Sequence, residues 1–155
     1  MTRTLQVSVI GSGAEAVERA VAVGRLLGER GCTVVCGGLG EVMAAAARGA
    51  KAGGGMTIGI VPGESHEQAN EWIDHVVVTG IGHARNLAVA GSGHAVIAVG
   101  GRWGTLAEIG FARVLGRPVV ILDPGWELEG DGIVHASTAE EAVDLALALV
   151  REQAP

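Results

Sequence analysis

Apolar residues along this chain fall into short runs that alternate with longer amphipathic stretches. Leu5 to Ile10 is the first run, stopped by Gly11-Ser12-Gly13. Ala14 to Arg30 then carries Val17, Val21, Leu26 and Leu27 at helical spacing and closes on Gly31. Cys32 to Cys36 predicts a second strand ending in Gly37-Gly38-Leu39-Gly40. An alanine-rich helix follows from about Glu41 to Ala52 and runs into Gly53-Gly54-Gly55. Met56 to Val61 predicts a third strand, stopped by Pro62-Gly63. The polar stretch Glu64 to Asp74 predicts a loop or short helix and is expected to be the most mobile part of the chain. His75 to Val78 predicts a fourth strand, Ala84 to Ala90 a short helix, Ala95 to Val99 a fifth strand and Thr105 to Leu115 its helix. Pro118 to Leu122 predicts a sixth strand. A weaker strand near Ile133-Val134 precedes a last helix from about Thr138 to Arg151, with Val143, Leu147 and Val150 on one face.

Strands alternate with helices throughout, and several strands are apolar along their whole length. Parallel strands covered on both faces and joined by right-handed crossovers have this pattern. The expected fold is therefore α/β, a doubly wound Rossmann-like domain spanning residues 1–155, with a mainly parallel sheet of six or seven strands. Ligands of such sheets bind at the carboxyl ends of the strands, where the glycine clusters after strands one, two and five fall.

The stretch Val96 to Glu108 carries the most chemistry. A β-branched run passes through Gly100-Gly101-Arg102-Trp103-Gly104 into a helix, which puts backbone N–H groups and a positive helix end at the sheet edge. Glycines let an anion approach that backbone, Thr105 adds a hydroxyl, and Glu108 lies on the same helix face as Thr105. A phosphate site beside a reactive carboxylate fits this pattern. So does a plain glycine-rich connection in which Glu108 only favours a helix start.

Composition narrows the class. With 155 residues, 48% hydrophobic and 18% charged, the chain is long and apolar enough for a full core. Its formal charge of −6 argues against general nucleic-acid binding, which needs a basic face, but leaves room for a small anionic ligand held by backbone dipoles. Cys32 and Cys36 sit roughly 13 Å apart at strand rise, too far for a disulfide, and are expected to be buried packing residues. The lack of a signal peptide, of an apolar run long enough to span a bilayer and of a cysteine framework predicts a cytoplasmic protein without membrane partners.

Gly11-Ser12-Gly13-Ala14-Glu15-Ala16 fits the G-x-G-x-x-A dinucleotide fingerprint. That fingerprint also needs an acidic residue at the end of the second strand, where this chain has Cys36-Gly37-Gly38. A nicotinamide-dependent dehydrogenase is disfavoured, and a mononucleotide or other phosphorylated ligand remains.

Gly100-Gly101-Arg102-Trp103-Gly104-Thr105-Leu106-Ala107-Glu108 resembles the P-G-G-x-G-T-x-x-E motif of the LOG family, the cytokinin-activating phosphoribohydrolases often labelled lysine decarboxylase-like. His83-Ala84-Arg85-Asn86 is similar to that family's H-x-R-K segment, at a matching distance from Glu108. Gly37 to Met43, Arg48-Gly49-Ala50, Gly53-Gly54 and Ile58 to Gly63 follow the family pattern in order, so the resemblance covers nearly the whole chain. It implies Arg85 and Glu108 as a catalytic pair. It also implies that the Gly100-Gly101-Arg102-Trp103-Gly104-Thr105 turn holds the 5′-phosphate, and Gly37, Gly38, His83 and Asn86 from the matched segments, with Gly11, Ser12 and Gly13 from the fingerprint, complete the expected ligand-binding set. The implied reaction converts a nucleoside 5′-monophosphate to free base and ribose 5-phosphate, with no required cofactor. The resemblance also implies a homodimer or homotetramer, for which the small-residue faces of the second and last helices would serve.

Val99 in place of the motif's proline, Asn86 in place of its lysine and His94 in place of an aspartate look more like a small branch related to molybdenum-cofactor carrier proteins. A non-catalytic carrier of that cofactor, or of another phosphorylated ligand, is the alternative. Glu41 stands where that branch has glycine, which bears on anion binding by the second loop. Physically, a carboxylate at Glu108 would stabilise the positive charge that builds on ribose as the N-glycosidic bond breaks, and Arg85 would orient it or the substrate. A purely structural Arg85–Glu108 ion pair is the other reading of the two.

The one lysine, Lys51, lies on the alanine-rich helix away from this site, so a pyridoxal phosphate Schiff base is not expected. His66, His75, His94 and His135 have no metal-ligand spacing, and no metal is expected. Trp103 is placed to cover a ligand, an oligomer contact or ordinary packing, and Trp126 in the Pro124-Gly125-Trp126 turn to serve as a lid or packing residue.

Overall fold

The fold is that of a computed structural model describing residues 2–122 and 127–155; the Pro124-Gly125-Trp126 turn lies outside the described residues. The strands are β1 (Gln6–Ser12), β2 (Thr33–Cys36), β3 (Met56–Val61), β4 (His75–Val78), β5 (Ala95–Gly100), β6 (Val119–Leu122) and β7 (Ile133–Ala136). They form one sheet in the order β4-β3-β2-β1-β5-β6-β7, with every pair parallel. The helices are α1 (Val17–Glu29), α2 (Val42–Ala52), α3 (Arg85–Ser92), α4 (Trp103–Val114) and α5 (Ala139–Gln153). The α/β, doubly wound Rossmann-like architecture expected from the apolar pattern is the one observed. The weak Ile133-Val134 signal is a true edge strand.

Strand residues alternate between two cores. Val7, Val9, Ile97, Val99, Val120 and Leu122 point to the layer containing α1, α2 and α5. Ile10, Val96, Ala98, Val119 and Ile121 point to the layer of α3 and α4. Both faces are covered, which is why these strands carry no polar alternation. Ser8, Thr33 and Thr57 are the buried polar exceptions in β1, β2 and β3, and the Ser8 hydroxyl donates to the Val89 carbonyl at 2.6 Å.

The small-residue face of α2 is spent inside the chain. A Cβ on Gly24 would strike the Ala46 carbonyl, and one on Gly49 would strike the Val21 carbonyl, so α1 and α2 pack backbone to backbone. Ala142 and Ala146 of α5 are likewise buried against the sheet. Neither face is available for self-association. Leu87 on α3, Phe111 and Val114 on α4 and Leu115 just after it are among the exposed large apolar residues, together with Met56 on β3, Val77 on β4, Ile81 and Trp103.

The polar stretch 64–74 forms a single 3-10 turn, His66–Gln68, and is tied down at several points. The Gly63 amide donates to Gln68, the Asn70 side chain to the carbonyls of Gly38 and Leu39, and Asp74 pairs with Lys51 at 2.8 Å. Lys51 and Asp74 sit at the amino ends of β3 and β4. His94 bonds the backbone of Gln6 at the same edge. Cys32 and Cys36 are free and buried.

Candidate functional site

The chain passes from β4 across the sheet to β5, so β1 has β2 on one side and β5 on the other. Loops leaving β1 and β5 diverge there and open a crevice at the carboxyl edge. The crevice is an open cleft of about 340 Å³. Its floor is the end of β1, where Gly11 (φ +139) lies so close to β5 that a Cβ would overlap the Val99 carbonyl.

One wall is the start of α4. Gly100 and Gly101, both at positive φ, swing the chain out of β5, and Arg102 is the N-cap with no side-chain cap. The first intrahelical bond runs from the Leu106 amide to the Arg102 carbonyl at 3.0 Å, so the amides of the preceding turn end at the cleft. Gly104 and Thr105 line the cleft there, and a Cβ on Gly104 would meet nothing within 4 Å. The helix begins at Trp103, two residues before the predicted start, which makes Trp103 part of its first turn. Trp103 is 74% exposed and is not among the residues that line the cleft.

The opposite wall is the start of α3. Gly82–Ala84 forms a 3-10 turn that delivers Arg85 and Asn86, each 7% exposed, to the cleft beside His83. Arg85 lies across Gly37, where a Cβ would come within 2.8 Å of Nη2. Its Nη1 donates to Asn86 Oδ1, while its buried Nε has no partner, as is also true of Ser12 Oγ. Glu108, 8% exposed, completes the cleft one helical turn after Thr105. No ion pair or hydrogen bond joins Arg85 to Glu108 among the described residues; they interact through their charges alone.

Burial dominates the electrostatics. It raises the Glu108 carboxyl to about 7, against the opposing pull of the Arg85 charge. It lowers Arg85 from the ordinary arginine value, opposed by Glu108 and then by Cys36. The Cys36 thiol, beneath the cleft, is raised to about 11 by burial and stays protonated at neutral pH.

Of the residues expected at the site, the cleft gathers Gly11, Ser12, Gly37, His83, Arg85, Asn86, Arg102, Gly104, Thr105 and Glu108. Gly13, Gly38, Gly100, Gly101 and Trp103 are not on its surface. The glycines among them shape turns, and the Gly13 amide faces Glu41. The apolar lining from Leu39, Met43 and Pro62 was not part of the expected site, although each follows the carboxyl end of a strand. Asn70, which holds the Gly38-Leu39 carbonyls, had no sequence signal beyond its place in a polar loop.

These features define an α/β domain of the Rossmann-like class, with an open cleft at the point where strand order reverses. The chain belongs to the SLOG cluster4 family, whose family model matches residues 4–153. It is 38% identical over 148 residues to an uncharacterized protein of Archaeoglobus fulgidus, covering 94% of this chain and 96% of that one. It is 34% identical over 127 residues to the cytokinin riboside 5′-monophosphate phosphoribohydrolase of Mycobacterium tuberculosis, covering 76% of this chain and 67% of the relative. Among solved structures, the molybdenum cofactor carrier protein of Chlamydomonas reinhardtii superposes with a TM-score of 0.88 at 29% identity, covering 97% of this chain and 100% of the other. Kinship to the LOG-like proteins, on the branch that includes molybdenum-cofactor carriers, is thus established.

Proposed function

We propose that the cleft binds a nucleoside 5′-monophosphate with its phosphate at the start of α4 and hydrolyses the N-glycosidic bond, releasing free base and ribose 5-phosphate. The observation that carries this reading is Glu108, a buried carboxyl raised to about 7, one turn from an uncapped helix start and opposite the Arg85 charge. Phosphate would be held by the first-turn amides and Thr105. As the bond from C1′ to the base nitrogen breaks, the Glu108 carboxylate would stabilise the positive ribose and position water, whose oxygen bonds C1′ and keeps one proton as the new hydroxyl while the other proton passes to the departing base nitrogen. Arg85, held by Asn86 rather than by Glu108, would orient the substrate.

The test is base release under single-turnover conditions. Glu108→Gln is expected to lower the rate by about 10²-fold or more with binding largely kept, and Arg85→Ala to follow it. Turnover that survives both changes rejects the pair.

A second reading is favoured by the end-to-end match to the Chlamydomonas carrier. A carrier would hold a phosphorylated pterin without turnover. The orphaned Arg85 Nε and Ser12 Oγ are unused donors of the kind a polar ligand would satisfy, so the residues fit such a group. Absence of base release from every nucleotide, with tight molybdopterin binding, selects this reading. In either case the exposed Leu87, Phe111, Val114 and Leu115 suit burial against a second copy of the chain. Light scattering at micromolar concentration is expected to give a dimer or tetramer; a monomer mass overturns that expectation.

A further inference from the structure

We propose that Glu41 is an internal anion that fills the first glycine loop, so that the cleft takes a ligand phosphate only at α4 and rejects a second phosphate at Gly11–Gly13. The Gly13 amide donates to Glu41 Oε2 at 3.0 Å, across the gap between the β1 loop and the start of α2. Gly11 and Ser12 line the cleft, but Gly13 is turned away from it toward this carboxylate. A second acidic group stands guard beside it, because a Cβ on Gly13 would lie 3.0 Å or less from the Glu15 carboxyl. A phosphate brought to these amides would meet two carboxylates and would have to break a charge-assisted hydrogen bond.

Glu41 also occupies a backbone conformation at odds with its side chain. Its φ of 53 and ψ of −122 make it the sole non-glycine residue with positive φ among the described residues. Glycine would adopt that geometry freely. A residue held there against its own preference, with its carboxylate on an amide that the dinucleotide fingerprint reserves for pyrophosphate, acts as a specificity determinant. The fingerprint in Gly11 to Ala16 is thus present in sequence and closed in structure.

The inference rests on the α4 phosphate reading, and the test separates the two. Wild type, Glu41→Gln and Glu41→Gly are titrated with AMP and with ADP by calorimetry, and the Gly13 and Gly104 amides are followed by NMR. Wild type is expected to favour AMP over ADP. Glu41→Gly is expected to raise ADP affinity relative to AMP by about tenfold or more, with Glu41→Gln between the two. The Gly13 resonance should respond to ADP only in the variants, and the Gly104 resonance to AMP in all three proteins. The melting temperature of Glu41→Gly should stay level or rise by a few degrees, since released strain offsets the lost bond. An ADP-to-AMP ratio equal in all three proteins, with AMP bound at Gly104, overturns the role of Glu41 alone. Failure of every form to bind AMP overturns the α4 phosphate reading and the selectivity built on it.

Discussion

The loops after β1 and β5 are written in similar residues and do different things. Each ends a parallel strand, carries glycines at positive φ and leads into a helix at the sheet edge. In the β1 loop the Gly13 amide is taken by Glu41, and Gly11 is wedged against Val99. In the β5 loop the helix start has no side-chain cap, and Gly104 faces open space. Whether a glycine turn can receive an anion therefore depends on what the rest of the fold lays across its amides.

A side chain introduced into each loop tests this contrast with the largest effects. Gly104→Leu is expected to leave stability near wild type and to weaken AMP binding by about 10²-fold, because the side chain enters the phosphate space. Gly11→Ala is expected to cost about 4 kcal/mol in urea unfolding, from overlap with the Val99 carbonyl and a strained φ. Gly101 is a poorer probe than Gly104, since its Cβ would press on Thr105 at 2.7 Å. Comparable stability losses at Gly11 and Gly104 would erase the distinction between the loops.

A somewhat smaller effect sharpens it. The Glu108 carboxyl is raised on folding from 4.5 to about 7, so the folded state holds its proton more tightly than the unfolded state does. Ionising it then costs stability progressively between about pH 4.5 and pH 7, reaching about 3 kcal/mol above that window. Glu108→Gln should therefore be more stable than wild type at pH 8, and the gain should vanish near pH 4. If the carboxylate is the reacting form, kcat/KM of the wild type should rise with pH through about 7. A pH-independent stability difference would show that Glu108 is not held in the environment described.

The sheet was legible because its central strands are buried on both faces and carry nearly continuous apolar runs, and the partly exposed edge strands β4 and β7 keep short apolar runs of their own. Helix starts were less so. α4 begins at Trp103 because Arg102, not a capping side chain, takes the N-cap position, and nothing local in Gly-Arg-Trp-Gly marks that. Arg85, Glu108, Gly104 and Thr105 were legible as a group because one strand-turn-helix unit and one helix start carry them. The apolar lining by Leu39 and Met43 and the loop support from Asn70 come from elements distant in sequence. The Glu41–Gly13 bond spans 28 residues and depends on a backbone angle that composition does not disclose. The alanines of α2 were visible, but their partner was not, since an intramolecular and an intermolecular small-residue face look alike in one dimension.

That α1–α2 seam has a consequence for genetics. Gly24, Gly28, Gly49 and Gly53 each face the backbone of the opposing helix so closely that any side chain forces the helices apart. A saturation mutagenesis screen scored on growth or abundance would therefore find its least forgiving positions along this seam, on the side of the sheet away from α3 and α4. Intolerance there would report the cost of separating two backbones and would say nothing about the ligand, so a map of essential positions must be divided by protein abundance before it points to the cleft.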